Sequence, residues 1–414
     1  MKNKINRSLL FSLAWIIFGV ILITSLTSFF VYNTFLFWND MQTRTFISIS
    51  IIIYLLFSIF SLRINRFSYR EQLGLVLFIL SLCMSVFLTI IAIGRLYYSR
   101  SYLVYYYIFS FIWIGIGFYF FKNPKNSFFL LCPWGLSLEL AKSSGRKWEI
   151  LQIPQLKNCD GIIADLHEKI EPEWMRMIAN ATLINLPVYH AATIYEKTTG
   201  KISTSHLNEG LLSTYYKVNI IYFRIKTILE KLLIILFSPF LILAIILVSI
   251  IVKIDSKGPV FFIQDRVGRK GKSFRMYKFR SMITESEKDG AKFTSTDDKR
   301  ITKVGNILRK YRIDEIPQFF NILKGEMSLI GPRPEQVLFS GKFEKEISFY
   351  AYRHLVNPGI TGWAQVNHGY AAGTEETETK LEYDLYYVKY MGFWLDLLII
   401  FKTLKTILTG FGSK

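Results

Sequence analysis

Long apolar runs separated by short polar links open the chain. They cover residues 9–32, 46–62, 73–93 and 103–121, each close to the roughly 20 residues that carry a helix across a bilayer. The first exceeds a signal-peptide core and lacks a small-residue cleavage site, so it reads as a retained anchor. Four crossings are therefore expected. No ionisable residue interrupts their centres, which speaks against an ion pathway or transport site. Basic residues gather before the first run, at Arg63, Arg66 and Arg70, and at Lys122 and Lys125, while the 33–44 link balances Asp40 against Arg44. That bias places both ends of the bundle in the cytoplasm, with Arg95 and Arg100 as an opposing signal on the outer side.

From residue 126 to about residue 219 the pattern is that of a soluble domain. Short apolar segments at 128–132, 148–153, 161–164 and 182–185 alternate with helical periodicity and predict the strands of a small α/β sheet. Pro133-Trp134-Gly135 follows the first strand and precedes a helix, the position of a dinucleotide fingerprint, but no G-x-G-x-x-G is present. A structural or regulatory role is the resulting reading.

The segment 232–252 is again long enough to span, but it contains Ser238-Pro239. Proline removes a helix hydrogen bond and crowds the preceding turn, so a break is expected there, with the serine hydroxyl available to the freed backbone. Arg224, Lys226 and Lys231 precede the segment and Lys253 and Lys257 follow it, so both flanks read as cytoplasmic. A helix that enters the membrane and turns back at Ser238-Pro239 satisfies both signals; a fifth crossing is the alternative. In residues 274–282, alternation puts Arg275 and Tyr277 with neighbouring charges on one face of a strand as a cationic wall, and Phe274 and Met276 on the other. Residues 284–300 are polar and aperiodic, either a loop that closes over a ligand or an inert surface loop. The run 393–411 has Trp394, Leu397, Leu398, Phe401, Leu404 and Leu408 on one face and Lys402 and Lys405 on another, which suits an interfacial helix or an ordinary core-facing one.

Composition agrees with a membrane protein: of 414 residues, 51% are hydrophobic and 16% aromatic. The net charge of +19 comes without a finger, an RNA-binding signature or an uninterrupted basic tail, so anionic lipid and phosphate substrates are better partners than nucleic acid. Cys83, Cys132 and Cys159 show no paired spacing, and the five histidines form no metal-ligand pair at helical spacing.

Candidate chemistry concentrates in Tyr311-Arg312-Ile313-Asp314-Glu315-Ile316-Pro317-Gln318 and runs on to Gly331-Pro332-Arg333-Pro334. Pro317 suits the first turn of a helix, which puts Asp314 and Glu315 at or just before its positive end. Adjacent carboxylates on one turn cannot flank a glycosidic bond, but one can attack phosphorus while the other holds a metal. A plain helix cap is the competing reading.

Together the motifs resemble the bacterial sugar transferases, the monotopic polyprenyl-phosphate glycosyl-1-phosphate transferases. The resemblance runs from Arg224 to the C-terminus: Ser238-Pro239, Gly258-Pro259-Val260-Phe261-Phe262, Lys278-Phe279-Arg280, Asp298 with Arg300 and Thr302, Arg309, the Asp314 to Gln318 stretch, Gly331-Pro332-Arg333-Pro334, residues 358–367 and Tyr383-Asp384-Leu385-Tyr386-Tyr387. It implies a membrane α-helical bundle (1–122), a cytosolic α/β Rossmann-like domain (123–219) and a membrane-associated α+β catalytic domain (220–414) with a re-entrant helix at 226–252 broken at Ser238 and Pro239. The implied enzyme lies in the bacterial inner membrane with its active site on the cytoplasmic face. It passes a sugar 1-phosphate from a UDP-sugar to undecaprenyl phosphate, giving UMP, as the first membrane step of exopolysaccharide, capsule or O-antigen synthesis. In the implied mechanism Asp314 becomes covalently phosphoglycosylated, Glu315 holds Mg²⁺, and Lys278, Arg280, Arg333, Arg266 and Arg312 bind substrate charge. Lipid headgroups for Lys278 and Arg280, and bracing of a turn for Arg333, are the competing roles. Two departures stand out: Lys226 occupies the place of an acidic residue, with Glu230 one turn later, and His368-Gly369-Tyr370 lacks an arginine usual after Val366-Asn367. Transfer of the sugar without its phosphate is disfavoured because no Asp-x-Asp metal motif is present; a non-catalytic assembly or regulatory protein is the other alternative. Surplus surface upstream of Arg224 gives the expectation of a homodimer through the bundle or the middle domain.

Overall fold

The computed structural model describes residues 2–35, 41–62, 69–95, 98–121, 128–143, 148–204, 207, 219–283, 298, 300–368 and 373–409. The chain divides into two compact units: Met1–Leu131 with Ser144–Ile162 and Met177–Pro187, and Cys132–Ser143 with Ile163–Arg176 and Val188–Lys414.

Four helices open the first unit: α1 (Lys2–Tyr32), α2 (Met41–Leu62), α3 (Tyr69–Gly94) and α4 (Arg100–Phe121). They coincide with the four apolar runs. By length and composition Leu13–Tyr32 and Gly74–Gly94 can cross a membrane, and α2 holds a shorter apolar stretch, Arg44–Ser58. Some polar groups inside the bundle find main-chain partners, which offsets their burial where water is scarce: the Tyr106 hydroxyl donates to Ser50 O at 3.1 Å, and the Thr27 hydroxyl to Ile23 O at 2.7 Å. Trp15 stacks on Trp113 with centroids 4.0 Å apart. The charge bias at Arg63, Arg66, Lys122 and Lys125, and at Asp40, lies outside the described residues.

The α/β region follows as β1 (Phe129–Leu131), α5 (Leu136–Ser143), β2 (Trp148–Ile150), β3 (Gly161–Ala164), α6 (Pro172–Leu183), β4 (Val188–His190) and α7 (Ala191–Thr199). Its sheet has the order β2-β1-β3-β4, with β1 and β2 parallel and Phe129 opposite Trp148. The strand expected at 182–185 is not one. Buried Trp174, Met177 and Ala181 recur at helical spacing and carry α6 through Thr182, whose hydroxyl donates back to Ile178 O at 3.0 Å. Asn185 then turns the chain with a left-handed φ of 58°, and the strand forms after Pro187. At the turn after β1, the buried Asp165 carboxylate accepts from Leu136 N at 3.0 Å, and Trp134 Nε1 donates to Asp165 O at 2.9 Å. A protein carboxylate thus fills the helix start where a dinucleotide fold holds a phosphate.

In the second unit, α8 (Ile220–Asp255) is capped by Asn219, whose Oδ1 accepts from Tyr222 N at 3.1 Å. Contrary to the expected break, the helix continues past Pro239. Ser238 Oγ donates to Ile235 O at 2.7 Å, the carbonyl that Pro239, lacking an N–H, leaves unpaired. One stripe of α8 meets its own unit along the whole length. Lys226 and Glu230 reach β7, Ile234 and Leu241 pack with Phe274, Met276, Ile322 and Met327, and Ile245, Val248 and Val252 pack with Phe279 and Leu308. Between Leu232 and Ile251 the rest of its surface is largely apolar and bare, Leu236 being 68% and Phe240 71% exposed.

Beyond α8, β5 (Phe261–Val267) pairs antiparallel with β6 (Ser273–Phe279), Phe262 opposite Lys278. Phe274 and Met276 are buried and Arg275 exposed, as the alternation predicts. There follow α9 (Lys303–Lys310), a 3₁₀ turn (Ile313–Gln318), α10 (Phe319–Lys324), β7 (Ser328–Ile330), α11 (Val337–Glu346), β8 (Gly359–Thr361), α12 (Trp363–Asn367), α13 (Thr374–Tyr390) and α14 (Phe393–Thr409). β7 and β8 pair in parallel. In α14, Leu395, Leu397, Leu398 and Ile399 are core, while Leu404 and Ile407 are exposed. Lys402 is drawn inward, its Nζ 4.6 Å from the Trp363 ring centroid. Residues 284–297 and 299, which include most of the expected loop, lie outside the described residues.

Candidate active site

Thr302 starts α9 by accepting from Gly305 N at 2.9 Å, and Arg312, left-handed at φ 56°, ends the connection to the 3₁₀ turn that bears the two acids. A non-glycine residue in that region is strained, and such strain gathers at functional sites. The turn runs directly into α10, so Asp314 and Glu315 stand in the first turn of a continuous helical segment, one turn earlier than Pro317 alone suggests. Both are buried, at 8% and 4% exposure.

Their surroundings differ. Glu315 Oε1 accepts from Arg333 Nη2 at 2.9 Å and faces Lys278 Nζ at 3.5 Å and Arg312 Nη1 at 3.9 Å. Burial alone would lift its carboxyl, but Arg333, Lys278 and Arg312 overturn that and hold it at about 2. Asp314 accepts no hydrogen bond among the described residues, and burial raises its pKa above the ordinary aspartate value against the pull of Lys278. Burial also lowers the Lys278 ammonium, Glu315 opposing. The result is a carboxylate held ionised among cations beside a more basic one that accepts no hydrogen bond among the described residues.

Of the residues singled out in the sequence, Lys278, Arg312, Arg333, Asp314 and Glu315 come together. Arg266 stands behind them, donating to Pro334 O at 3.1 Å and to Gln264 Oε1 at 2.6 Å. Arg280 goes elsewhere: its Nη2 donates to Ser256 O at 2.6 Å and its Nη1 to Lys257 O at 3.2 Å, closing the C-terminal end of α8. Arg309 donates to Ser281 Oγ at 2.8 Å. Lys226 is buried, donating to Ile330 O at 2.7 Å and pairing with Asp396 Oδ2 at 2.9 Å, while Glu230 accepts from Ser328 Oγ.

Two contributors carried no local signal. Asn321, fully buried, accepts from Tyr277 N at 3.2 Å and donates to Arg275 O at 2.6 Å, so one carboxamide pins α10 to the edge of β6 that carries Lys278. Arg353 donates to Arg333 O at 2.9 Å. The 331–334 loop is also held by backbone proximity: a Cβ on Gly331 would meet Asn357 O at 2.3 Å. Gly331→Ala is therefore expected to cost about 1–3 kcal/mol through overpacking, read as a lower thermal midpoint in detergent together with slower catalysis.

Among the described residues, the feature that fits a divalent metal is Glu315 Oε2, a buried oxygen without a hydrogen-bond partner, next to Asp314 in the same turn. Among the described residues no group of three or more His, Cys, Asp or Glu could hold a metal. That donor set matches Mg²⁺, which commonly takes one or two carboxylates and completes its shell with substrate phosphate and water.

Residues 221–410 match the family model described as bacterial sugar transferase. Among curated proteins, a UDP-N-acetylgalactosamine-undecaprenyl-phosphate N-acetylgalactosaminephosphotransferase of Aeromonas hydrophila is 44% identical over 326 residues, 77% of this chain and 76% of the relative. A UDP-glucose:undecaprenyl-phosphate glucose-1-phosphate transferase of Klebsiella pneumoniae is 34% identical over 67% of this chain and 60% of its own length. One of the same name from Escherichia coli is 42% identical over 45% of this chain and 39% of its own. The Aeromonas match extends well beyond the residues matched by the family model, and with it the chain belongs to the bacterial sugar transferase family.

Proposed function

We propose that this enzyme transfers a sugar 1-phosphate from a UDP-sugar to undecaprenyl phosphate in two displacements through Asp314. The observation that carries the reading is the unequal pair: Glu315 is committed to Arg333, Lys278 and Arg312, and Asp314 is free to attack. In the first step an Asp314 carboxylate oxygen attacks the sugar-bearing phosphorus, the bond to the bridging oxygen breaks, and UMP leaves. In the second, an oxygen of undecaprenyl phosphate attacks the same phosphorus and the Asp314 carboxylate leaves. Splitting the exchange this way keeps two highly anionic substrates from having to meet directly. Glu315, with the substrate diphosphate, would hold Mg²⁺, whose charge neutralises the diphosphate. Arg333, Lys278 and Arg312 supply fixed positive charge to the transferring phosphoryl group.

The relatives are named for UDP-N-acetylgalactosamine and for UDP-glucose, and the Aeromonas match reaches into the N-terminal half. UDP-N-acetylgalactosamine is accordingly the first donor to test and UDP-glucose the second. A panel of UDP-sugars with undecaprenyl phosphate and Mg²⁺ is expected to yield UMP from at least one; UDP as the nucleotide product means that the phosphate is not transferred. The reaction fits the first membrane step of a surface polysaccharide, carried out at the cytoplasmic face of the inner membrane.

We read α8 as re-entrant, bent at Pro239 without a break in the helix. The support is its contact stripe: both ends and the middle of the helix rest on the unit that carries the active site, so its ends share that unit's side of the bilayer. Single cysteines near Lys226 and near Lys257 are expected to label only from the cytoplasmic side; periplasmic labelling near Lys257 makes α8 a crossing helix.

A further inference from the structure

Arg333 meets Glu315 from a short loop, and the main chain of that loop is held carbonyl by carbonyl. Ile330 O accepts from Lys226 Nζ at 2.7 Å, Pro332 O from Gly359 N at 2.9 Å, Arg333 O from Arg353 Nη2 at 2.9 Å, Pro334 O from Arg266 Nη1 at 3.1 Å, and Glu335 O from Val267 N at 2.9 Å. Arg353 is the donor to the residue that matters most. It is only 2% exposed, and three side chains surround it. Its Nη2 pairs with Asp384 Oδ2 of α13 at 2.7 Å, its Nη1 donates to Tyr350 OH at 2.8 Å, and Glu335 lies 3.9 Å away. Lys380 pairs with the same Glu335 carboxylate.

A buried ion pair is a poor way to gain stability, because apolar side chains of similar volume commonly serve as well. What no apolar side chain can do here is donate to a main-chain carbonyl while its other edge is fixed. Arg353 lies at 1% side-chain exposure, whereas the Arg333 side chain is 34% exposed, so one arginine is sealed in and the other faces the site.

We propose that Arg353 is a positioning residue for the transfer: by fixing the main chain at Arg333 it holds that guanidinium in the one arrangement that meets Glu315 and the substrate diphosphate, without touching substrate itself. The inference rests on the function proposed above, in which Arg333 binds the diphosphate. A positional defect raises the KM for the donor, whereas a loss of folded protein lowers only the apparent kcat.

The test is a double-mutant cycle on the full-length protein in detergent, with Mg²⁺, undecaprenyl phosphate and UDP-N-acetylgalactosamine or UDP-glucose, whichever the wild type turns over. Arg353→Gln is expected to lower kcat/KM for UMP release about 10- to 100-fold, with a clear rise in the KM for the donor, and less than about threefold further in an Arg333→Gln background. Arg353→Lys, which keeps the buried charge opposite Asp384, is expected to recover part of the loss and to give the same cycle if the glutamine variant does not fold. Equal losses in both backgrounds, or an unchanged donor KM, overturn the inference and leave Arg353 as a fold determinant while the function stands. If Arg333→Gln alone leaves UMP release intact, the site reading fails and this inference falls with it.

Discussion

Asp314→Asn is expected to abolish UMP release, by a factor on the order of 10⁴ or more, while the protein folds normally. The amide has nearly the shape of the acid, and the Asp314 carboxylate accepts no hydrogen bond among the described residues, so little packing is at stake. What disappears is the nucleophile. Burial makes the Asp314 carboxylate more basic and less hydrated than a surface aspartate, both favourable for attack on phosphorus. A helix cap or spectator carboxylate predicts a mild loss instead. A variant retaining a sizeable fraction of wild-type turnover moves the nucleophile elsewhere.

Glu315→Gln is expected to slow both half-reactions by roughly 10²- to 10³-fold and to raise the Mg²⁺ concentration needed for half-maximal rate. The carboxylate gathers Arg333, Lys278 and Arg312 within 3.9 Å of one oxygen. Removing its charge leaves three cations facing one another in a largely buried place, so the thermal midpoint falls as well. The distinction from Asp314→Asn lies in the residue of activity: Glu315→Gln still forms and discharges the intermediate, slowly. Complete loss that high Mg²⁺ does not relieve would assign Glu315 a part in bond making.

The four N-terminal helices and α8 were legible because a bilayer-length apolar run admits one secondary structure. At Pro239 the proline removes one bond, and the Ser238 hydroxyl satisfies the carbonyl left behind without ending the helix. The segment 182–185 misled because Thr, Leu and Ile fit a strand locally, while Trp174, Met177 and Ala181 had already set a helical face. Asp314, Glu315, Arg333 and Lys278 stand in short motifs, and the fold gathers them into one cluster. Arg280 stands in such a motif too, but its two terminal nitrogens donate to carbonyls at Ser256 and Lys257, a pairing across more than 20 residues that no local pattern encodes. The same distance hid Arg353 and Asn321, whose partners at Asp384 and Arg275 become neighbours only once the chain has folded.

The covalent step is tested most directly without acceptor. Mixed with a UDP-sugar and Mg²⁺ but no undecaprenyl phosphate, the enzyme is expected to release up to one UMP per active site and to gain the mass of one phosphosugar on the peptide containing Asp314, which added undecaprenyl phosphate then removes. UMP release that requires the lipid from the start, with no mass gained on that peptide, contradicts the two-step account and leaves direct attack by the lipid phosphate.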